Sequence, residues 1–370
     1  MINTRRNLIR IWLLGAVLLQ AIASGAQPVT KVAGGWAHSL FLKSDGSLWA
    51  MGYNGYGQLG DGTYNNTNLP EQIVASNVTA IAAGYDFSLF LKSDGSLWAM
   101  GDQTCGELGD GTSSPDPGFP DISTNLPEEI VVSNVTAIAA GGDSSLFLKS
   151  DGSLWAMGDQ SYGQLGDGTS VPDPMYQSDI VLTNLPEEIV ASNVTAIAAG
   201  FFHSLFLKSD GGLWAMGYNG YGQLGDGTYG GAPYYGINLP EQIVVSGVTT
   251  IAAGAYHSLF LKSDGSLWDM GDNEFGQLGD FTSGHNLPEQ IVAGTPGYNQ
   301  ISIQLLSGGN VSLSYMGIAG TNYELDLSFS LSPPNWVPQV TNTAGAGGVL
   351  VFTNTPNPAT NNFWRVRSVP

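Results

Sequence analysis

Residues 40–49 read Leu-Phe-Leu-Lys-Ser-Asp-Gly-Ser-Leu-Trp, and this stretch decides the fold because it recurs almost unchanged four more times. The five copies of the surrounding unit begin at Val29, Val78, Val135, Val194 and Val248, at spacings of 49, 57, 59 and 54 residues. The spacings differ because the stretch between a Gly-Thr step and the next Asn-Leu-Pro varies in length. Without this stretch each repeat has 45 residues. A constant frame with one insert of variable length is typical of a repeat architecture. It favours a binding protein over an enzyme.

Each copy is predicted to contain four short strands. In the second copy these are Val78–Ala83, Ser88–Lys92, Leu97–Met100 and Glu128–Val132. The Asp-Gly step between the second and third strands supplies the positive φ angles that a tight hairpin needs. The small residues of the first strand suit the crowded strand nearest a central axis. Four short antiparallel strands per unit, repeated around an axis, describe a blade of a β-propeller.

One tryptophan and one leucine recur at fixed positions of every copy. A side chain that is present once per blade is expected to fill the space between blades. The tryptophans are Trp49, Trp98, Trp155, Trp214 and Trp268.

Residues 1–26 have the pattern of a signal peptide. Arg5, Arg6 and Arg10 are followed by the apolar run Ile11–Ile22 and by small residues that end at Ala26. The apolar run is too short to span a bilayer comfortably, although an uncleaved membrane anchor is the alternative. We therefore expect export, by the general or the twin-arginine route, to the medium or the cell surface. No later stretch is predicted to span a membrane.

The chain is strongly acidic, with a formal net charge of −20 and a pI near 4.2. Such a surface repels phosphate backbones, so nucleic acid is excluded as a partner. Cys105 is the only cysteine, which rules out an internal disulfide. It replaces a Tyr or Phe of the other copies, and it is interpreted as a small apolar substitute, with a reactive thiol as the alternative.

Four short motifs link the repeats to a known family. In the fourth copy they are Gly-x-x-His-Ser at Gly200–Ser204, Asp210-Gly211, Trp-x-x-Gly at Trp214–Gly217 and Gly-Gln-Leu-Gly at Gly222–Gly225. In these motifs the chain resembles the regulator of chromosome condensation family of β-propellers. The resemblance implies a rigid disc that binds other proteins through its loops.

Family propellers commonly have seven blades, whereas five copies are visible here. The ring is therefore expected to close with five blades, to recruit C-terminal strands or to close by oligomerisation. The motif histidine is present as His38, His203 and His257, and Phe87 and Ser144 replace it in the other two copies. A structural hydrogen-bonding role is expected for it.

The connections between strands divide into two faces. The first, second and third connections of a blade join its successive strands, and the inter-blade link joins its fourth strand to the next blade. In an antiparallel blade the first and third connections lie on one face, and the second connection and the inter-blade link lie on the other. The first and third connections and the inserts differ from copy to copy, so we call their side the variable face; the other side is the generic face. A rigid scaffold that presents differing loops favours binding there, with neutral drift as the alternative. The candidate partner-binding residues are Trp36, Tyr53, Tyr56, Tyr85, Asp86, Asp102, Asp143, Asp159, Tyr162, Phe201, Phe202, Tyr218, Tyr221, Tyr256, Asp272 and Phe275.

The sequence contains no nucleophile elbow, zinc-protease motif or phosphate loop, so no catalytic residue, metal or cofactor is predicted. One alternative is a calcium site around the Pro-Asp-Pro segments of the inserts, at Asp116 and Asp173 with Asp121 and Asp179 nearby. The other is a glycan-cleaving enzyme that uses Asp102, Asp159 or Asp272. Equivalent positions on separate blades give no reason for the differing pKa values that such an enzyme needs. The predicted function is a non-enzymatic scaffold that recognises a protein; the alternative is a lectin-like propeller whose tyrosines stack on sugars.

The repeat rhythm breaks near Gly294. Strand-like runs at Ile301–Leu305, Val311–Tyr315, Tyr323–Leu327, Val349–Thr353 and Phe363–Arg367 predict a small β-sandwich. The domains are therefore a signal peptide (1–26), an all-β propeller of five four-stranded repeats (27–295) and a C-terminal β-sandwich-like module (296–370). The module serves surface attachment or sorting, or is a passive or ring-completing appendage.

Overall fold

The computed structural model describes residues 27–114, 122–170, 181–231, 235–279, 282–292 and six strands between 302 and 369. The predicted signal peptide and the Pro-Asp-Pro segments of the inserts lie outside these residues. All regular secondary structure in the described part is β-strand, which confirms the all-β prediction. The chain divides into two compact units, which are described separately.

In the first unit, twenty strands form five four-stranded antiparallel sheets. Within each sheet the strands lie side by side in chain order, which confirms the predicted blades. The strands of blades one to three are β1 (Val29–Gly34), β2 (His38–Lys43), β3 (Leu48–Gly52), β4 (Thr67–Val74), β5 (Val78–Ala83), β6 (Phe87–Lys92), β7 (Leu97–Asp102), β8 (Ser123–Val131), β9 (Val135–Ala140), β10 (Ser144–Lys149), β11 (Leu154–Asp159) and β12 (Leu182–Val190). Blades four and five contain β13 (Val194–Ala199), β14 (His203–Lys208), β15 (Leu213–Tyr218), β16 (Gly236–Val244), β17 (Val248–Ala253), β18 (His257–Lys262), β19 (Leu267–Asp272) and β20 (Gly284–Val292).

The fourth strand of each blade is longer than predicted. Strand β8 begins at Ser123 instead of Glu128 and includes Pro127. Proline is tolerated because β8 is the outer strand of its sheet and has one unpaired edge. The pairing register shifts between Ala99 and Gly101 opposite this segment, which marks a local irregularity.

The space between blades is filled by a repeating apolar cluster. Between blades two and three, Phe147 and Met157 of the third blade are fully buried among leucines of the second. Trp155 is half-buried at the edge of this cluster, and its ring lies parallel to Phe147 at 6.1 Å. Trp98, Trp214 and Trp268 border the other three inter-blade clusters in the same way, which confirms the predicted packing role for four of the five tryptophans. Trp49 borders none of the clusters in the described part of the chain.

The motif histidines join neighbouring blades by hydrogen bonds. His38 Nε2 lies 2.9 Å from Ser88 Oγ in the next blade, and Ser88 Oγ donates to the Gln58 carbonyl oxygen at 2.8 Å. Because the single serine proton is used in this way, His38 Nε2 donates its own. His203 and Ser258 repeat the arrangement. Burial lowers the pKa of His38 to about 4 and that of His203 to about 3, so both rings are neutral. The expected hydrogen-bonding role is confirmed for this pair.

The second connection, the turn between the second and third strands, has nearly the same sequence in every blade because a chain of side-chain hydrogen bonds fixes its conformation. In blade three the Trp155 indole N–H donates to Ser153 Oγ, which in turn donates to Asp151. Gly212 replaces the serine in blade four, and the buried Trp214 Nε1 finds no hydrogen-bond partner among the described residues. The generic face is therefore constrained by structure.

The five blades do not close directly on one another. Contacts join the inner strands β1 to β5, β5 to β9, β9 to β13 and β13 to β17, and no comparable contact joins β17 to β1 among these described strands. Val29 of the first blade is 53% exposed, whereas its equivalent Val78 is 4% exposed. Of the three expected routes to closure, a ring of five blades in direct contact is wrong.

The second unit contains two three-stranded sheets. One pairs β21 (Ser302–Leu305), β22 (Val311–Met316) and β25 (Val349–Asn354); the other pairs β23 (Asn322–Ser328), β24 (Val337–Thr343) and β26 (Phe363–Val369). Leu313 and Phe352 of the first sheet form one buried cluster with Tyr323 and Leu325 of the second, as in a small sandwich. The sequence did not predict β24, an edge strand that contains Pro338.

Candidate functional site

An unbroken aromatic surface covers much of the variable face. Ten aromatic side chains are connected by ring-to-ring contacts with centroids 4.5–6.5 Å apart. Blades one and four contribute rings from both their first and third connections, and blades two, three and five contribute one ring each. We call this set the aromatic surface; its members are Trp36, Tyr53, Tyr56, Tyr85, Tyr162, Phe201, Phe202, Tyr218, Tyr221 and Tyr256.

The centre of the aromatic surface lies over the ends of the inner strands. Trp36 stacks on Tyr85 at 4.8 Å, and Tyr85 meets Phe201 edge-on at 5.4 Å. Tyr85 and Phe201 belong to blades two and four, so this contact crosses the axis. Beside these rings lies a depression of about 320 Å³, lined mainly by the glycines and alanines that end the inner strands.

Gly142 allows the central rings to approach one another. Its N–H donates to the Phe201 carbonyl at 3.1 Å, and its own carbonyl accepts from the N–H of Tyr85 at 3.3 Å. A Cβ atom at Gly142 would lie 2.7 Å from the Phe201 oxygen and 3.2 Å from the Phe201 ring. A larger residue at this position would therefore displace Phe201.

Blades two and three contribute one ring each, and carboxyl groups stand at positions where blades one, four and five have rings. We call Asp86, Asp102, Glu107, Asp143 and Asp159 the acidic group. Asp86 and Asp143 occupy the position of Phe202 and Tyr256, and Asp102 and Asp159 that of Tyr53 and Tyr218. The variable face is thus aromatic over blades one, four and five and acidic over blades two and three.

Burial, in most cases with repulsion between neighbours, raises the pKa values of four of these carboxyl groups. Burial, with the neighbouring Asp102, raises the pKa of Asp86 to about 6. Burial and then Asp159, Asp102 and Asp86 raise the pKa of Asp143 to about 7. Burial also raises the pKa of Asp159 and, with help from Asp102 and Asp143, places that of Glu107 well above its usual range. Asp86 and Asp143 therefore lose their protons at a higher pH than an ordinary aspartate does.

A glutamine of blades one, three and five donates to a carboxyl group. Gln58 accepts the backbone N–H of Tyr56 and donates its amide to Asp86 of the next blade at 2.9 Å. Gln164 likewise donates to Asp159 of its own blade at 2.9 Å. Glu107 occupies this position in blade two, and its carboxyl accepts the backbone N–H of Cys105. Glu107 is 1% exposed, and its Oε2 finds no hydrogen-bond partner among the described residues.

The sixteen predicted residues fall into three sets. Ten form the aromatic surface, and Asp86, Asp102, Asp143 and Asp159 belong to the acidic group. Asp272 accepts from Gln277 on blade five, and Phe275 is 85% exposed without joining the aromatic surface. Glu107 was missed, although it stands where the four other copies have Gln, and that substitution was its signal.

Metal ligation and thiol chemistry gain no support from the geometry. Within the described part of the chain, no group of three or more His, Cys, Asp or Glu side chains is placed to hold a metal ion. Nor does that part contain a helix long and apolar enough to cross a bilayer.

Burial and the carboxyl groups of Glu107, Asp143 and their neighbours raise the pKa of the Cys105 thiol far above its usual range. The thiol is therefore protonated at neutral pH, in line with its interpretation as an apolar substitute.

Known proteins resemble this chain both in sequence and in fold. The family model described as RCC1-like domain matches residues 16–313. Human RCC2 is 32% identical over 151 residues, a stretch that covers 40% of this chain and 26% of the human protein. Among solved structures, human WBSCR16 is 25% identical, with a TM-score of 0.57 over 72% of this chain and 68% of that one. Prp20p of Saccharomyces cerevisiae is 23% identical, with a TM-score of 0.59 over 78% of this chain and 72% of the yeast chain.

Proposed function

Since this chain belongs to the RCC1-like domain family of β-propellers, we propose that it is a non-enzymatic scaffold that binds a protein partner through its variable face. One observation carries the proposal. Ten aromatic side chains form a continuous surface on the face whose connections differ between blades.

The composition of this surface supports protein recognition. Protein interfaces are enriched in Tyr, Trp and Phe at their centres, and a few such residues supply most of the binding free energy. Trp36 is 62% exposed and Tyr221 is 42% exposed, so both rings are available to a partner. Their contacts with other rings hold them in place, which lowers the entropic cost of binding.

Protein binding by a related fold also supports the proposal. The structure of yeast Prp20p was described together with its binding to Gsp1p and histones. That likeness, at 23% identity, shows a shared fold and leaves the partner of the present chain open.

We propose further that the chain acts outside the cytoplasm, at the cell surface or in the medium. The support is the order of a basic segment, a short apolar run and small residues within positions 1–26. The test is the molecular mass of the protein recovered from the medium and from the cell envelope. Mass loss corresponding to about 26 residues is expected, and full-length protein confined to the cytoplasm would contradict export.

Carbohydrate is the second candidate ligand. The exposed Phe275 and Trp36 and the phenol groups of the aromatic surface are side chains of the type that stack on sugar rings. This candidate shares the site of the first, so one experiment separates them.

That experiment is a pull-down from the host envelope and medium with the mature chain as bait. A second bait has the inserts Ser113–Thr124 and Ser170–Thr183 shortened to the four residues of the first copy, and a third carries Tyr85→Ala and Phe201→Ala. A protein retained by the wild type and lost by either variant supports the proposal. Retained polysaccharide favours the carbohydrate candidate. Equal retention by all three baits contradicts binding through the variable face.

A further inference from the structure

Glu107 reverses the hydrogen-bonding pattern that the glutamines set up in the other blades. In blades one, three and five the glutamine uses Oε1 to accept a backbone N–H and Nε2 to donate to an aspartate, either of the next blade or of its own. Gln223 of blade four keeps the first contact, and its Nε2 finds no partner among the described residues. Glu107 keeps the first contact, with the N–H of Cys105. Its Oε2 therefore occupies the place of the donor and faces two aspartates of these same positions, Asp143 of the next blade and Asp102 of its own.

The result is a cluster of carboxyl groups without the amide that donates to the aspartates in blades one and three. Asp102 and Asp143 are the charged neighbours that act most strongly on Glu107. Glu107 is 1% exposed and its Oε2 has no hydrogen-bond partner within the described part of the chain. Buried polar atoms usually have such a partner, and leaving one unsatisfied costs free energy. A group that brings both positive charge and N–H donors would restore the missing bridge.

Two features restrict what that group is. The described residues place no three ligands for a metal ion, which disfavours a bare divalent cation. Asp102 and Asp143 are only half-buried, so a side chain that enters from the variable face can reach them. The neighbouring aromatic surface offers ring faces, and these attract ammonium and guanidinium groups as well as apolar side chains.

We propose that the acidic group receives a lysine or arginine side chain of the protein partner, while the aromatic surface binds adjacent apolar residues. Asp102 and Asp143 contact the cation, while the buried Asp86 and Asp159 add negative charge beside them. Glu107 lies beneath them and supplies a further acceptor once the cation displaces its proton. This inference rests on the proposed function and defines the partner as a basic, partly apolar polypeptide segment.

The test measures the binding of defined peptides by fluorescence anisotropy at pH 8 and moderate ionic strength. The probe is a fluorescein-labelled ten-residue peptide of alternating Arg and Leu, and its matched control has citrulline, which is neutral and nearly isosteric, in place of Arg. We expect the arginine peptide to bind at least about tenfold more tightly, the size of one good charged hydrogen bond. Equal affinities would overturn the proposal.

Protein variants distinguish binding at the acidic group from general electrostatic attraction between the basic peptide and an acidic protein surface. Glu107→Gln restores the amide of the other blades, and Asp143→Asn removes the half-buried acceptor; each is expected to weaken the arginine peptide about five- to tenfold. The control Glu129→Gln/Glu188→Gln also removes charge, but from exposed positions of the outer strands. It is expected to change affinity less than twofold. Equal weakening by the control, or unchanged binding by Glu107→Gln and Asp143→Asn, would contradict the proposal.

The same assay distinguishes failure of this inference from failure of the proposed function. If Tyr85→Ala/Phe201→Ala abolishes peptide binding while Glu107→Gln, Asp143→Asn and the citrulline peptide have no effect, the variable face binds polypeptides and the cation site is wrong. If neither set of variants changes the affinity for the peptide, both proposals are wrong. Tighter binding by Glu107→Gln would show that a proton bridges the cluster and would also overturn the cation site.

Discussion

Trp36 and Tyr85 stack across the boundary between the first and second blades, with ring centroids 4.8 Å apart and planes inclined by 20°. Both rings come from the first connection of their blade, where the sequence is least constant. Trp36 nevertheless remains 62% exposed. A stacked ring that stays exposed buries little area, so this contact positions a surface more than it stabilises the fold.

Substitutions in these rings should therefore weaken partner binding without greatly lowering the stability of the fold. We expect Tyr85→Ala/Phe201→Ala to change the free energy of unfolding by no more than about 1 kcal/mol per residue, because both rings lie on the surface and are only partly buried. The same variant should lose partner retention. Urea unfolding beside the pull-down checks both statements. A large loss of stability would show that the rings belong to the core.

The recurring tryptophans should behave differently at an inner boundary and at the uncovered face. Trp155 packs against the cluster between blades two and three, whereas Trp49 has the same Phe and Lys neighbours without a preceding blade. We expect Trp155→Ala to cost about 3 kcal/mol, the low end of the range for buried aromatic residues, and Trp49→Ala to cost about half of that. Equal unfolding midpoints for the two variants would contradict the packing of Trp155 between blades.

Gly212 offers a route to a more stable protein. The serine that stands here in the other blades accepts the indole N–H, and Trp214 Nε1 has no partner among the described residues. A Cβ atom at Gly212 would come closest to the flexible end of Gln242, at 2.9 Å. Gly212→Ser should therefore stabilise the protein by about 1 kcal/mol. Ser153→Gly, its mirror change in blade three, should destabilise by a similar amount; thermal unfolding that moves in the opposite direction in either variant would refute this account.

The acidic group should make stability fall as pH rises. Asp143 has a pKa of about 7 and Asp86 of about 6 in the folded protein, both above the value of 3.8 for an ordinary aspartate. At these two groups the folded state then binds more protons than the unfolded state between about pH 4 and 7, so their contribution to stability decreases across this window. The groups that repel Asp143 are Asp159, Asp102 and Asp86, with Glu107 nearby.

Asp143→Asn removes one of these titrations. At pH 5 the protonated aspartate and the asparagine are alike, so the variant should resemble the wild type. At pH 8 the variant should gain about 2–4 °C in Tm relative to the wild type, which corresponds to about 1 kcal/mol. The buried histidines act in the opposite direction in both proteins and cancel in the comparison. A gain that is larger at pH 5 than at pH 8 would contradict the raised pKa.

Much of the architecture could be predicted because it is repeated. The Asp-Gly turn, the tryptophan and the alternating leucines each occur five times, so local propensity and packing agree in every blade. The early start of β8 was missed because Pro127 disfavours a central strand, and only tertiary pairing shows that it lies at an edge. The lack of closure between β17 and β1 was also not predictable, since it depends on the angle between successive blades.

The candidate site could be located on one face but not resolved into its parts. Topology alone placed Tyr85, Phe201 and Asp143 together. Their division into an aromatic surface and an acidic group depends on distances across the axis, such as the contact between Tyr85 and Phe201. Glu107 was overlooked because one glutamate in a glutamine position looks conservative until its hydrogen-bond partners are known.

The most direct test of the central claim compares partner retention by two variants with equal numbers of substitutions. One carries Tyr85→Ala and Phe201→Ala on the variable face, and the other carries Ser93→Arg and Ser150→Arg at exposed turns of the generic face. If the variable face binds the partner, the first variant loses it and the second retains it at the wild-type level. Loss by the generic-face variant, with full retention by the aromatic one, would contradict the account.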